Sequence, residues 1–191
     1  MHKNLIDIVS IRAGYPFRGR IETETQGNAQ LVQMRDLDPE GGLDWATPVR
    51  VNVEDTGHPA FLLPDDILFV NRGAHFFATL LATPPADALA APHLFILRVK
   101  NTAQVWPAYL AWYLNHRRAQ HYFQQHTKGT SIPSISRKAL ETLPVLLPPL
   151  DTQQHIGAVD RCWRAEKKLQ RELLEKREEW LETVLDRLID N

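Results

Sequence analysis

The side chains best suited to chemistry in this chain are eight histidines, a Pro64-Asp65-Asp66 triplet and a hydroxyl-rich loop. His116, His121 and His126 recur every five residues. On a helix that step turns each about 140° from the last, so the three cannot converge on one ion. The triplet has the carboxylates with which some nuclease metal sites begin, but no acid-x-Lys pair follows on a nearby strand. As a turn feeding a strand, with Asp capping its own backbone, it needs no chemistry. No His-Glu-x-x-His pair, Gly-rich phosphate loop or Gly-x-Ser-x-Gly elbow occurs. A small hydrolase would rest on the histidines and the triplet alone.

Binding chemistry has better material. "TKGTSIPSIS", residues 127–136, holds Lys128, Gly129, Thr130, Ser131, Ser134 and Ser136 and no acid. Hydroxyls and backbone amides beside a cation are the usual ligands of phosphate oxygens. Gly129 would let the backbone approach a phosphate closely. A helix starting after Ser136 would aim free amides the same way, with Arg137 and Lys138 adding charge. Arg18 and Arg20 in "GYPFRGR" offer a similar choice between exposed turn charges and nucleic-acid contacts. A plain connector has the same composition, and residue type does not choose between the readings.

The 191 residues allow one mid-sized domain with an appendage. Net charge is −1, so composition announces no nucleic-acid binder, but the distribution is uneven. Between Asp87 and Glu141 there is no acid, while Arg98, Lys100, Arg117, Arg118, Lys128, Arg137 and Lys138 fall inside. Gathered on one face, they would make a local positive field. Cys162, the only cysteine, excludes an internal disulfide and fits a reducing compartment. With no signal peptide at the start and no bilayer-length apolar run, a cytoplasmic protein without a membrane partner is expected.

The elements that must position these residues follow from periodicity. Residues 5–11, 29–34, 49–53, 66–70, 77–83 and 94–100 read as strands, with turn chemistry in "DPEGGLDW" and "VNRGAH". Pro107 opens a helical pattern with no breaker until Gly129, and Leu110, Tyr113, Leu114 and Phe123 share its buried side. Ser136 should cap a short helix. From Asp151, with Gln154 completing a capping-box-like start, one helix of about 39 residues, or about 58 Å, is expected. Ile156, Val159, Trp163, Leu173, Leu181, Val184 and Leu188 form its apolar stripe, interrupted at Glu166, Gln170 and Arg177. The stripe calls for a partner helix; a helix folded back or broken near Gly157 is the alternative. The class is therefore α+β: a β-rich lobe over 1–150, then a long coiled-coil-type helix over 151–191.

The ordered motifs "GYPFRGRIE", "LVQMRDLDPEGGLDW", "FLLPDDILFVNRG", "APHLFILRV", "PAYLAWYLN" and "KGTSIPSISRKALETLPVLLPPLDTQQHI" resemble the specificity subunit of type I restriction–modification systems. The strongest part runs from Lys128 to Ile156, with Gly129, Ile135-Ser136, Leu140, Leu143, Pro148, Gln153 and Ile156 at the family's spacings. Thr152-Gln153 stands where an acid-Gln usually follows the prolines. The resemblance implies a non-catalytic, half-size chain with one target-recognition domain, reading double-stranded DNA for phage defence. Its long helix would pair with a second copy or another specificity chain and dock a modification subunit. S-adenosylmethionine is expected on that methyltransferase and no cofactor on this chain. DNA contacts are expected from Arg18, Arg20, Arg35, Arg72, Lys128, Gly129, Thr130, Ser131, Arg137 and Lys138. An adaptor that kept the fold without touching DNA is the other reading, favoured by near-neutral charge and by Asp36, Asp38, Glu40 and Asp44.

Overall fold

The computed structural model describes residues 1–17, 21–40, 42–53, 61–129 and 132–189. In chain order the elements are β1 (His2–Asn4), α1 (Leu5–Ile8), β2 (Val9–Ala13), β3 (Ala29–Val32), β4 (Leu37–Asp38), β5 (Gly42–Leu43), β6 (Val49–Val51), β7 (Ile67–Val70), β8 (Phe77–Leu80), β9 (Ala88–Ala90) and β10 (Leu94–Val99). Then follow α2 (Pro107–Asn115), α3 (Arg117–His126), α4 (Arg137–Glu141), β11 (Pro144–Leu146) and α5 (Leu150–Ile189). This is the expected α+β lobe followed by one long helix.

The central sheet runs β2-β10-β7-β8, antiparallel throughout. Its apolar strands are buried on both faces, which is why β7 reads as an unbroken hydrophobic run. Ile67 and Phe69 join a core with Tyr109, Tyr113 and Phe123 of the helices. Leu68 and Val70 point the other way, into a second core with Val32, Ala88 and Ala90. There the smaller sheet β6-β3-β9 closes the sandwich, with β3 and β9 parallel.

The expected strand over 5–11 begins instead with one turn of helix. Leu5 and Ile8 point into the core, and the Asn4 amide donates to the Asp7 carboxylate. A four-residue apolar run carries no period that separates one helical turn from a strand. The helix expected from Pro107 to His126 also breaks, at His116, whose backbone is extended (φ −74°, ψ 150°). Asn115 bonds both the N–H and the C=O of Ala78 on β8, so its side chain substitutes for a strand partner. The Gln120 amide donates to the Leu114 and Phe76 carbonyls across the break. Leu110, Tyr113, Leu114 and Phe123 are buried as expected.

α5 begins at Leu150 and runs unbroken through Gly157 to Ile189, 40 residues and about 60 Å. Asp151 therefore lies in its first turn and is not the cap; the Pro149 carbonyl accepts the Gln153 amide there. The Gln153 side chain is 1% exposed and fully bonded: its Oε1 accepts from the Trp106 amide, and its Nε2 donates to the Gln104 and Pro148 carbonyls. Gly157 is buried where α5 crosses α2. The base of the long helix is thus seated on the lobe.

Candidate nucleic-acid interface

Three backbone segments meet beside the open end of β7. Ser134 is bridged antiparallel to both Arg72 and Lys128. Lys128 and Ser134 exchange N–H···O bonds of 3.0 and 2.9 Å, the Ile135 amide donates to Asn71 and the Gly73 amide to Pro133. Residues directly opposite in antiparallel pairs project to the same side. Arg72, Ser134 and Lys128 therefore share one face of a small ribbon, with spacings of about 5 Å between neighbouring backbones. Arg72 and Lys128 are exposed.

Gly129 also has a use within the fold. Its φ is +91°, and a Cβ there would stand 2.7 Å from the Ile132 carbonyl oxygen. Backbone conformation and close approach both favour glycine at this position. Thr130, Ser131, Arg18 and Arg20 lie outside the described residues.

One amide of the expected N-terminal anion site on α4 is taken by its cap. This helix is five residues long, and the Ser136 hydroxyl accepts its Ala139 amide at 3.2 Å. Ser136 is a cap, as its position suggested. Arg137 and Lys138 are both exposed, and Arg137 lies 2.8 Å from Glu141. Arg35 sits in a 3-10 turn over Met34–Asp36, and the Met34 side chain reaches within 3.7 Å of where a Gly73 Cβ would be. That places the Arg35 turn against the Arg72 loop. Arg35 is 68% exposed and 3.8 Å from Asp36, a weak surface pair.

Not every cation of the acid-free span contributes. The Arg98 guanidinium grips Asp66 through hydrogen bonds of 2.7 and 2.8 Å. Asp66 is fully buried and also accepts the Leu63 amide, and the ion pair raises the Arg98 pKa above its ordinary range. The second carboxylate of the Pro64-Asp65-Asp66 triplet is therefore a structural ion-pair partner, while Asp65 occupies a turn at φ +66°. The histidines are scattered in role. His116 lies tilted against the Trp112 ring, His126 stacks on Tyr122, and His121 bonds Gln125. Burial, then the charges of Arg117 and Arg118, hold the His116 imidazole below its usual pKa. Arg117 and Arg118, with Gln120, His121 and Gln124, line a shallow hollow on α3. Among the described residues neither arginine forms an ion pair.

The four acids that favoured an adaptor are all engaged within the chain. Asp36 accepts the Gln33 amide and Asp44 the Ala46 amide. Asp38 and Glu40 bind Arg171 and Lys167 of α5. Sequence reasoning missed these long-range pairs, because residues more than a hundred positions apart leave no local signal.

Along α5, Val159, Trp163, Leu173, Leu181 and Leu188 are half to two-thirds exposed, and Val184 is intermediate. Ile156 packs partly against the helix-side core. Leu169, Leu174, Trp180 and Leu185 are exposed as well, so the uncovered apolar face is broader than the stripe first read. No helix among the described residues is long and apolar enough to cross a membrane.

Residues 7–174 match the family model of the type I restriction modification DNA specificity domain. No curated protein matches the chain. Solved structures share the fold. The S subunit of a type I restriction–modification system from M. genitalium has 12% identity and a TM-score of 0.55, over 83% of this chain and 37% of that one. The HsdS subunit from Thermoanaerobacter tengcongensis has 20% identity and a TM-score of 0.58, over 88% and 38%. A chain from a structure of complex assembly and conformational transition of the type I R-M system has 19% identity and a TM-score of 0.62, over 98% and 43%. The chain spans about two fifths of the length of each.

Proposed function

The chain belongs to the type I restriction modification DNA specificity domain family, and on that premise we propose that it reads one half of a bipartite duplex site and positions an adenine methyltransferase there without catalysing chemistry itself. The carrying observation is the ribbon that sets Arg72, Ser134 and Lys128 on one face, with Lys138 and Arg35 on adjoining turns. Lys128 and the hydroxyls grip phosphate; Arg72 and Arg35 are long enough to reach base edges, where a bidentate arginine selects guanine.

A single lobe reads a single half-site. The uncovered face of α5 is the feature that supports a second lobe, carried by another copy or another specificity chain. With heptad positions a at 163, 170, 177 and 184, and d at 159, 166, 173 and 180, one antiparallel register pairs every a with a d. It sets Trp163 opposite the partner's Trp180 and Val159 opposite the partner's Val184. The two charged interruptions then meet each other, Glu166 against the partner's Arg177. Neither forms an ion pair within its own chain among the described residues, and Arg177 is exposed. A homodimer of this kind reads an interrupted palindrome. The exposed Leu169 and Leu174 flank the seam and suit a docked modification subunit, which would carry S-adenosylmethionine. The family role supports a cytoplasmic site of action.

The test is DNA binding by the reconstituted assembly as a function of salt. Lys128→Ala should weaken binding to all sequences and make the slope of log K against log salt shallower by about 1. Arg72→Ala should relax preference at one base pair and cost about 1 to 3 kcal/mol. Unchanged slope and sequence preference in both variants would remove the ribbon from the interface.

A further inference from the structure

Above its seat at Gln153 and Gly157, α5 stands over a cleft of about 300 Å³, lined by Ala78, Ala82, Ala108 and Ala165 and by the longer Glu40, Arg161, Arg164 and Lys168. At this cleft three cations reach from α5 to the β4–β5 hairpin. The Arg164 Nη1 donates to the Pro39 carbonyl at 2.9 Å, the Lys167 Nζ lies 2.6 Å from Glu40, and the Arg171 Nη1 lies 2.8 Å from Asp38. Positions 164, 167 and 171 share one helical face. Asp160 holds Arg164 in place at 2.7 Å.

The receiving end is equally organised. The Glu40 amide donates to the Asp38 carboxylate, and β4 pairs with β5 through Leu37↔Leu43 and Asp38↔Gly42. The Glu40 carboxyl is held below its ordinary pKa, first by the hydrogen bond from Lys167 and then by its charge. From Gly157 to Arg171 the axial distance is about 21 Å, so the hairpin grips the helix far from its seat. Surface ion pairs are individually weak, but these three act together on a long lever.

We propose that Arg164, Lys167 and Arg171 are positioning residues: with Pro39, Glu40 and Asp38 they form an ionic strut that fixes the angle between the lobe and the long helix, and thereby the spacing at which two half-sites are read. The second clause rests on the DNA-reading function proposed above; the first does not. A tilt of about 10° at the end of a ~30 Å arm moves its tip by about 5 Å, more than the ~3.4 Å step of one base pair. A loosened strut therefore blurs the spacing by a base pair or more while leaving each half-site contact intact.

The first measurement needs no DNA. Spin labels at His93→Cys and Glu178→Cys, in a Cys162→Ser background, report the lobe-to-helix distance by pulsed electron resonance, with labelled chain diluted in excess unlabelled chain. The intact strut should give a narrow distribution. Asp38→Lys with Glu40→Lys should lose it, and adding Lys167→Glu with Arg171→Glu should recover it. A distribution unmoved by the reversal would overturn the strut. The second measurement, on the reconstituted assembly, compares two-part sites whose spacers differ by one base pair. The reversal should erase the spacing preference, without altering affinity for a lone half-site, and the charge swap should restore it. A preference that survives reversal would overturn the link to spacing. Absence of DNA binding by the unaltered assembly would instead refute the DNA-reading function, while the distance measurement still decides the strut.

Discussion

Gly157 of α5 faces Ala108 of α2 so closely that a Cβ added to it would stand 3.0 Å from the Ala108 Cβ and 3.3 Å from the Tyr109 amide nitrogen. This contact sets how near the long helix lies to the lobe. A glycine inside a helix costs about 1 kcal/mol relative to alanine, and close approach explains why the position bears it. Gly157→Ala should change stability little, the gain in helix propensity being offset by the squeeze on Ala108. Gly157→Leu should destabilise by about 1 to 3 kcal/mol through overpacking. Urea unfolding of both variants checks the pair; equal stability of Gly157→Leu and the parent would refute the close seat.

The Arg98–Asp66 pair supports a second prediction. Asp66 is fully buried, and the salt bridge satisfies both of its oxygens. Removing one partner strands the other charge. Arg98→Met should destabilise by about 3 to 5 kcal/mol, whereas Arg98→Met with Asp66→Leu should recover much of the loss. Arg98→Met should leave DNA affinity at a temperature of full folding unchanged, since this cation is not part of the ribbon. An urea midpoint equal to the parent's would contradict the first expectation, and a shallower salt slope the second.

What could be read from the sequence divides along physical lines. β7, β8 and β10 are runs of apolar and β-branched residues bounded by turn chemistry, and Ser136 and Pro107 mark their helices by local rules. The long helix declares itself by composition. By contrast, β1 is polar and three residues long, and it exists because it pairs with β11 more than 140 positions away. The break at His116 depends on Asn115 meeting the edge of β8, a tertiary event inside a locally helical sequence. The binding site divides in the same way. Lys128 and Gly129 stand out by type, but only the fold shows that Gly129 sits at positive φ, that Arg72 joins Lys128 across Ser134, and that Arg98 is tied to the buried Asp66.

Tyr109 gives a pH dependence. It is 2% exposed, its hydroxyl donates to the Leu146 carbonyl, and burial pushes its pKa up to about 12. The folded chain then holds this proton over a range where the unfolded chain, with a pKa of about 10, has lost it. Its contribution is complete below pH 10 and is lost as pH rises towards 12, on the order of 2 to 3 kcal/mol in all. Tyr109→Phe should flatten the alkaline part of the stability profile and cost about 1 kcal/mol at neutral pH. Urea midpoints measured between pH 9 and 12 test both; parallel profiles would refute the assignment.

Arg137 and Lys138 are adjacent in sequence but not equivalent. Both are exposed, but only Arg137 is engaged by a carboxylate, Glu141 at 2.8 Å, among the described residues. In the reconstituted assembly Lys138→Ala should weaken DNA binding more than Arg137→Ala. Glu141→Gln should strengthen it by freeing Arg137 and removing a negative charge near phosphate. Filter-binding titrations at two salt concentrations rank the three, and a Glu141→Gln variant that binds less tightly would contradict the ordering.

The charged interruptions of the α5 stripe test the proposed pairing most directly. In the antiparallel register Glu166 meets the partner's Arg177, and two-fold symmetry repeats the contact on the other side of the centre. Glu166→Arg then places like charges together twice at the seam. Dimerisation should weaken by at least about tenfold, equivalent to about 1.4 kcal/mol. Glu166→Arg combined with Arg177→Glu should restore it, because the swapped charges meet again. Both positions are exposed in the single chain, so neither variant disturbs the lobe. Sedimentation equilibrium of the full chain measures the constants. A monomeric parent would dismiss the homodimer and leave pairing with another specificity chain. A dimer indifferent to the single reversal would place the seam in a different register.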